Sequence, residues 1–137
     1  MKILLPVDGS PHSTRAARYL VKHWPVDASV TLLNVDLPLR DSISGRLDAA
    51  SIARFHADNG RYALRSARRV LTHAGHLHDE LLLVGDPGSE ISRVAQRGRY
   101  DLVIMGSHGR GSFKSLFLGS VVMKVLSQSR IPVMVVR

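Results

Sequence analysis

The 137-residue chain has no cysteine. That removes disulfides, thiolate metal sites and cysteine nucleophiles, and it suits a reducing compartment such as the cytoplasm. Aromatic residues make up only 5% of the sequence, too few for a platform on which bases stack. Long hydrophobic runs are also missing. The longest, at 101–105 and 131–136, are strand-sized, against the roughly 20 residues that cross a bilayer, so no membrane association is expected. The opening segment 1–8 falls short of the ~7–15-residue apolar core of a secretion signal, and Asp8 stands where a small-residue cleavage site belongs. A buried first strand is the better reading. No repeat, low-complexity tract or domain boundary interrupts 1–137, which reads as one domain.

What is present is a globular composition, 45% hydrophobic, with a formal charge of +8. Such a charge favours anionic partners, nucleotide or nucleic acid. The arginines stand as scattered pairs, such as Arg68-Arg69 and Arg97-Gly98-Arg99, not as one block. With so few aromatics, nucleic acid is not the expected main partner.

Strand-like and helix-like stretches alternate along the chain. The apolar run 3–7 reads as a strand covered on both faces. Ser10 and Pro11 then form a helix entry, the serine as cap and the proline at the first helical position. Ala16, Ala17, Leu20 and Val21 recur at helical spacing until Trp24-Pro25 stops them. A second strand is expected over 29–35. The polar stretch 36–48, with Pro38, Ser42, Ser44 and Gly45, is long for a connector and is expected to be mobile or functional. A long helix should span 49–73, ended by Gly75, with its arginines on the solvated face. A third strand over 80–84, a turn at Gly85-Asp86-Pro87-Gly88, a helix over 90–96, a fourth strand over 101–105, a helix over 119–127 and a last strand from Ile131 to Val136 complete the order. Repeated strand–helix–strand units imply an α/β fold, an open parallel five-stranded sheet with helices on both faces.

In such sheets, ligands bind beyond the carboxyl ends of the strands, where strand order reverses. The segments leaving the first and fourth strands therefore matter most, and both are rich in Gly, Ser, Asp and His. After the fourth strand the chain reads Met105-Gly106-Ser107-His108-Gly109-Arg110-Gly111-Ser112-Phe113-Lys114, and a helix follows at Gly119-Ser120. Small residues let backbone amides approach an anion, and a helix start adds unpaired N–H groups. Ser107, Ser112 and Ser120 could add hydroxyls, and Arg110 and Lys114 charge. Neither the P-loop pattern nor the dinucleotide pattern Gly-x-Gly-x-x-Gly fits.

Gly106-x-x-Gly109, nine residues, then Gly119-Ser120 resembles the nucleotide-binding signature of the ATP-binding branch of the universal stress protein family. The resemblance extends to Ile3-Leu4-Leu5-Pro6-Val7-Asp8-Gly9-Ser10, to Asn34-Val35, to Gly85-Asp86-Pro87 and to the closing Ile131-Pro132-Val133-Met134-Val135-Val136. It implies a Rossmann-like sheet of order 3-2-1-4-5. It implies adenine held by Pro6, Val7, Asp8 and Val35, with Gly9, Ser10 and Met105 beside them. Gly106, Gly109, Gly119, Ser120 and Val121 would wrap ribose and phosphates, with His108 and Arg110 nearby. ATP would bring a divalent ion, Mg2+ or Mn2+, on its phosphates. A homodimer through the strand from Ile131 to Val136 is expected both from the resemblance and from the need to cover a sheet edge.

The implied protein is a cytoplasmic stress-response module, read by an unidentified regulatory partner, with slow or no hydrolysis and no catalytic residue assigned. Two other readings stand beside it. One is a slow ATPase or autophosphorylating enzyme using Ser107, Ser112 or Ser120; the other is a nucleotide-free interaction protein. Asp8 could cap the turn after the first strand, bind ligand, or do both. His73, His76 and His78, near Asp79 and Glu80, suit a helix end better than a metal site.

Overall fold

The structure, a computed structural model, describes residues 1–109 and 117–137. Its elements are β1 (Lys2–Pro6), α1 (Pro11–His23), β2 (Ser29–Asp36), α2 (Asp41–Ser44), α3 (Ala49–His73), β3 (His78–Val84), α4 (Pro87–Arg97), β4 (Leu102–Gly106), α5 (Ser120–Gln128) and β5 (Val133–Val136). The strands form one parallel sheet of order β3-β2-β1-β4-β5. The expected fold class and strand order are therefore present.

Ile3, Leu4 and Leu5 are all fully buried. Because neighbouring side chains on a strand point to opposite faces, this requires cover on both sides. Ile3, Leu5, Val30 and Leu32 pack with Ala16, Ala17, Leu20, Leu64, Ala67 and Leu71 of α1 and α3. Leu4, Leu33, Val103 and Met105 pack on the other side with Ile91, Val94, Ala95, Val122 and Val125 of α4 and α5. One buried polar pair joins this second core, the Tyr100 hydroxyl donating to Thr31 Oγ1 at 2.9 Å.

Local signals set the helix ends. Ser10 accepts from the Ser13 amide at the start of α1, and Asp48 from the Ser51 amide at the start of α3. Gly75 adopts φ +78°, which lets the His76 amide reach the Leu71 carbonyl and close α3. Three boundaries differ from expectation by two residues or more, among them β5, which begins at Val133 instead of Ile131. Helix α4 begins at Pro87, three residues early, because Asp86 caps it through the Ser89 amide at 3.0 Å and Pro87 takes the first helical position. Strand β3 begins at His78, where pairing with Val30 carries it past the apolar run. The 36–48 connector contains the short helix α2. Among the described residues, no helix is long and apolar enough to cross a membrane.

Lys124 of α5 lies across the start of α4. Its stem fills the space beside Gly88, where a Cβ would come within 2.8 Å, and its ammonium meets Asp86 Oδ2 at 2.8 Å. The Lys124 ammonium, and after it the Ser89 amide, hold the Asp86 carboxyl down at about 2, against an ordinary 3.8. A carboxyl lowered on folding contributes stability above its unfolded value and loses it as pH falls through its folded value. Thermal melting of the wild type should thus drop more steeply than that of Asp86→Asn between pH 3.8 and about 2. Parallel curves for the two proteins would contradict this linkage.

Candidate functional site

The strand order reverses between β1 and β4, so α1 leaves to one face of the sheet and α5 covers the other. The crevice between them opens above the carboxyl ends of β1, β2 and β4. It encloses about 440 Å³, within the ordinary range for a small-molecule site.

Of the residues expected to hold a ligand, Pro6, Val7, Asp8, Val35, Met105, Gly106, His108, Gly109, Gly119, Ser120 and Val121 all line this crevice. Gly9 and Ser10 do not. Gly9 takes φ +83° in the turn after β1, and Ser10 is buried as the cap of α1. Arg110, Ser112 and Lys114 lie outside the described residues. Asp8 does cap the turn, its Oδ1 accepting from the Ser10 amide at 2.9 Å, while its side chain also faces the crevice.

Three glycines allow close approaches here, two to backbone and one to a carboxylate. A Cβ on Gly106 would stand 2.6 Å from the His12 carbonyl, so the end of β4 and the first turn of α1 touch directly. A Cβ on Gly109 would come within 2.8 Å of Asp8 Oδ2, and one on Gly119 within 3.2 Å of His108 Cα. The Gly119 amide donates to the Ser107 carbonyl at 2.8 Å, tying the loop to the start of α5. Ser107 is itself buried, and its hydroxyl lies 3.0 Å from His108 Nδ1. The other ring nitrogen, His108 Nε2, is buried and has no hydrogen-bond partner among the described residues. The His12 ring stands 5.1 Å from that of His108.

The helix starts differ in a telling way. Helices α1, α3 and α4 each carry a side-chain cap, from Ser10, Asp48 and Asp86. Helix α5 has Gly119 at its cap position and, like the four-residue α2, no side-chain cap; Gly119 through Val122 line the crevice. Its first-turn N–H groups and its positive dipole end therefore face the cavity, an arrangement suited to an anion.

Sequence reasoning passed over the wall beneath β2. Asn34, buried in an apolar strand, donates to the Val7 carbonyl at 2.8 Å and locks the ends of β1 and β2 together. Asp36 lines the crevice and accepts on Oδ2 from Asn59 Nδ2 at 2.9 Å, with His56 Nδ1 at 2.7 Å. Burial alone would raise the Asp36 carboxyl. Donation from Asn59 and His56, the charge of His56 and the Leu37 amide outweigh it and hold the carboxyl below its ordinary value. The only available signal was a polar residue at each of positions 34 and 36 in a strand. Among the described residues, no three His, Asp or Glu side chains converge as a metal site, His73, His76 and His78 included.

The sequence matches the Universal stress protein family across residues 1–137. Universal stress protein MJ0577 of Methanocaldococcus jannaschii is 30% identical over 152 residues, covering 99% of this chain and 94% of that one. The solved MJ0577 structure superposes with a TM-score of 0.83 at 28% identity, over 98% of this chain and 94% of its own. The fold is also shared with an Archaeoglobus fulgidus universal stress protein in complex with dAMP, at TM-score 0.70 and 20% identity, over 100% and 98% of the two chains. An Arabidopsis thaliana family protein with AMP bound matches at TM-score 0.71 and 18% identity, over 99% and 90%.

The Gly106 contact yields a graded expectation. Gly106→Ala forces backbone against backbone and should cost about 1–3 kcal/mol in urea unfolding. Gly109→Ala meets a carboxylate oxygen instead of backbone and should cost less. Equal costs, or none at Gly106, would contradict the packing described.

Proposed function

The chain belongs to the universal stress protein family, and from that premise we propose that it is an ATP-binding regulatory module with slow or no ATP hydrolysis. The uncapped start of α5, open to a crevice of nucleotide size, is the observation that carries this reading. Pro6, Val7 and Val35 offer apolar wall for adenine, and Asp8 offers acceptor oxygen to the base or ribose. Met105 closes the floor. Gly106, Gly109, Gly119, Ser120 and Val121 leave room and backbone donors for the phosphates, and His108 Nε2 is a polar atom with no other partner among the described residues. A bound triphosphate supplies the negative charge that such a cradle stabilises, with a divalent ion on its phosphates. The nucleotides named for the two fold relatives, dAMP and AMP, support an adenine ligand.

The use of the crevice carboxylates supports slow turnover, since one oxygen of each is already engaged. Asp8 Oδ1 is occupied by the Ser10 amide, and Asp36 by His56 and Asn59. A base for attacking water needs an open acceptor near the reacting phosphate. One observation favours a second reading, autophosphorylation: the Ser107 hydroxyl sits 3.0 Å from His108 Nδ1. Its burial, and its place behind the crevice wall, weigh against it. Retained radioactive phosphate after incubation with γ-labelled ATP would favour that reading.

The module reading includes a stress-response role in the cytoplasm, an unidentified regulatory partner and a homodimer. Strand β5 pairs with β4 on one side and ends the sheet on the other, leaving an edge for a second copy. Sedimentation at micromolar concentration should give about twice the 15.1 kDa chain mass; a monomer would remove the dimer from the proposal.

The principal test starts from freshly purified protein. Mass spectrometry of the small molecule released on denaturation should find an adenine nucleotide. Replacing Gly119 and Ser120 together by valine should weaken ATP binding, measured by calorimetry, at least about 100-fold, equivalent to ~2.7 kcal/mol. Circular dichroism should be unchanged. Unaltered ATP affinity in that variant would refute the cradle.

A further inference from the structure

The sequence shows scattered arginines, and the fold sorts them. Helix α1 carries Arg15, Arg18 and Lys22 and no acidic residue. Helix α3 carries Arg54, Arg61, Arg65, Arg68 and Arg69 against the single acid Asp58. Three net charges on one and four on the other account for seven of the chain's eight. Both helices cover the same face of the sheet. Helices α4 and α5, on the other face, hold Arg93, Arg97 and Lys124 against Glu90. Lys124 is paired with Asp86 and Arg93 with Glu90.

On α3, Arg54, Arg61, Arg65 and Arg69 follow at intervals of seven, four and four, which keeps them on one stripe. That stripe is about 22 Å long at 1.5 Å per residue. On α1, Arg15, Arg18 and Lys22 form a second stripe. All seven of these cations are exposed. Arg61 pairs with Asp58 at 2.5 Å, and Arg68, outside the stripe, pairs with Glu80. Arg18, Lys22, Arg54, Arg65 and Arg69 make no ion pair among the described residues. Helices packed side by side lie about 8–10 Å apart. The face thus presents two roughly parallel rows of cations, nearly all of them arginine.

We propose that the α1/α3 face binds duplex nucleic acid through its phosphate backbone, without reading base sequence. Two rows of guanidinium groups on neighbouring helices suit the two phosphate strands that flank a groove of duplex nucleic acid, and guanidinium meets phosphate through paired N–H donors. Scarcity of aromatics argues against a single-strand platform, but a duplex held by its backbone requires no stacking. A lipid surface fits less well. The continuous apolar side of α3 is spent on the sheet. The exposed rings on this face are each occupied by a neighbour: Tyr19 stacks on His23, Phe55 meets His56 edge-on, and Tyr62 lies beneath Arg65.

The test is fluorescence anisotropy of the intact protein with a 20-base-pair DNA duplex of arbitrary sequence, titrated across salt. About five phosphate contacts predict a slope near −4.5 in log affinity against log salt. Arg65→Gln with Arg69→Gln should make the slope shallower by about two and weaken low-salt binding at least about tenfold. The pair Arg93→Gln with Arg97→Gln, on the opposite face, should change neither. Both double variants alter exposed side chains and should retain nucleotide and circular dichroism, so lost duplex binding is separable from a failed crevice assignment. A duplex affinity insensitive to Arg65 and Arg69 overturns the proposal. So does tighter binding to vesicles containing phosphatidylglycerol than to the duplex.

Discussion

At the reversal between β1 and β4, two crossovers must leave one sheet in opposite directions, and no helix can cover the gap that opens between them. That divergence fixes the geometry of the carboxyl edge. The end of β4 lies so close to the first turn of α1 that Gly106 has no room for a side chain. The loop beyond it folds back so that the Ser107 carbonyl receives the Gly119 amide, which aims the start of α5 into the gap. Asn34, reaching from β2 to the Val7 carbonyl, closes the third side. Each contact uses backbone or a buried polar group where a larger side chain would force the walls apart. The crevice is therefore a product of packing before it is a product of ligand chemistry.

Against that background the bare start of α5 carries weight. A side-chain cap typically contributes about 1 kcal/mol to a helix, and the chain places one at α1, α3 and α4. At the helix facing the crevice it has glycine instead. A serine or aspartate at 119 would occupy the first-turn amides and fill the space beside His108. An anion in the crevice can offset the missing cap through the same N–H groups and the helix dipole. Local helix stability and ligand space are thus in direct competition at one residue, and glycine resolves it in favour of space.

Most of the fold was legible because its signals are local. Helix α3 runs from Ala49 to His73 as expected, since Asp48 caps one end and Gly75 closes the other within a few residues of sequence. The start of α4 was harder: Pro87 serves equally in a turn and at a first helical position, and only the Asp86 contact to Ser89 decides between them. In the candidate site, the spaced glycines line one crevice together, whereas Gly9 and Ser10 shape the approach to α1 instead of the wall. The Asp36–His56–Asn59 cluster was hidden because Asp36 lies 20 and 23 residues before His56 and Asn59 and meets them only when β2 and α3 pack. The same holds for the basic face. Its stripes exist only once α1 and α3 lie on one side of the sheet, so no count of charge along the chain could separate them from a solvated surface.

The crevice and the basic face meet on α1. Ser13, in its first turn, lines the crevice, and His12 beside it touches Gly106, while Arg15, Arg18 and Lys22 belong to the outer stripe. A nucleotide in the crevice and an anion on the outer face would both be drawn by the same excess of positive charge, but water screens exposed charges beyond about 8 Å at physiological salt. Any stronger coupling must pass through the position of α1 itself. A ligand that favours one placement of that helix changes affinity at the outer face, and reciprocity requires the outer ligand to change affinity in the crevice by the same factor. With Ala16, Ala17 and Leu20 fully buried in the core beside β1 and α3, a shift of α1 would have to begin at its first turn. That turn lies against the one strand end where even a methyl group would not fit.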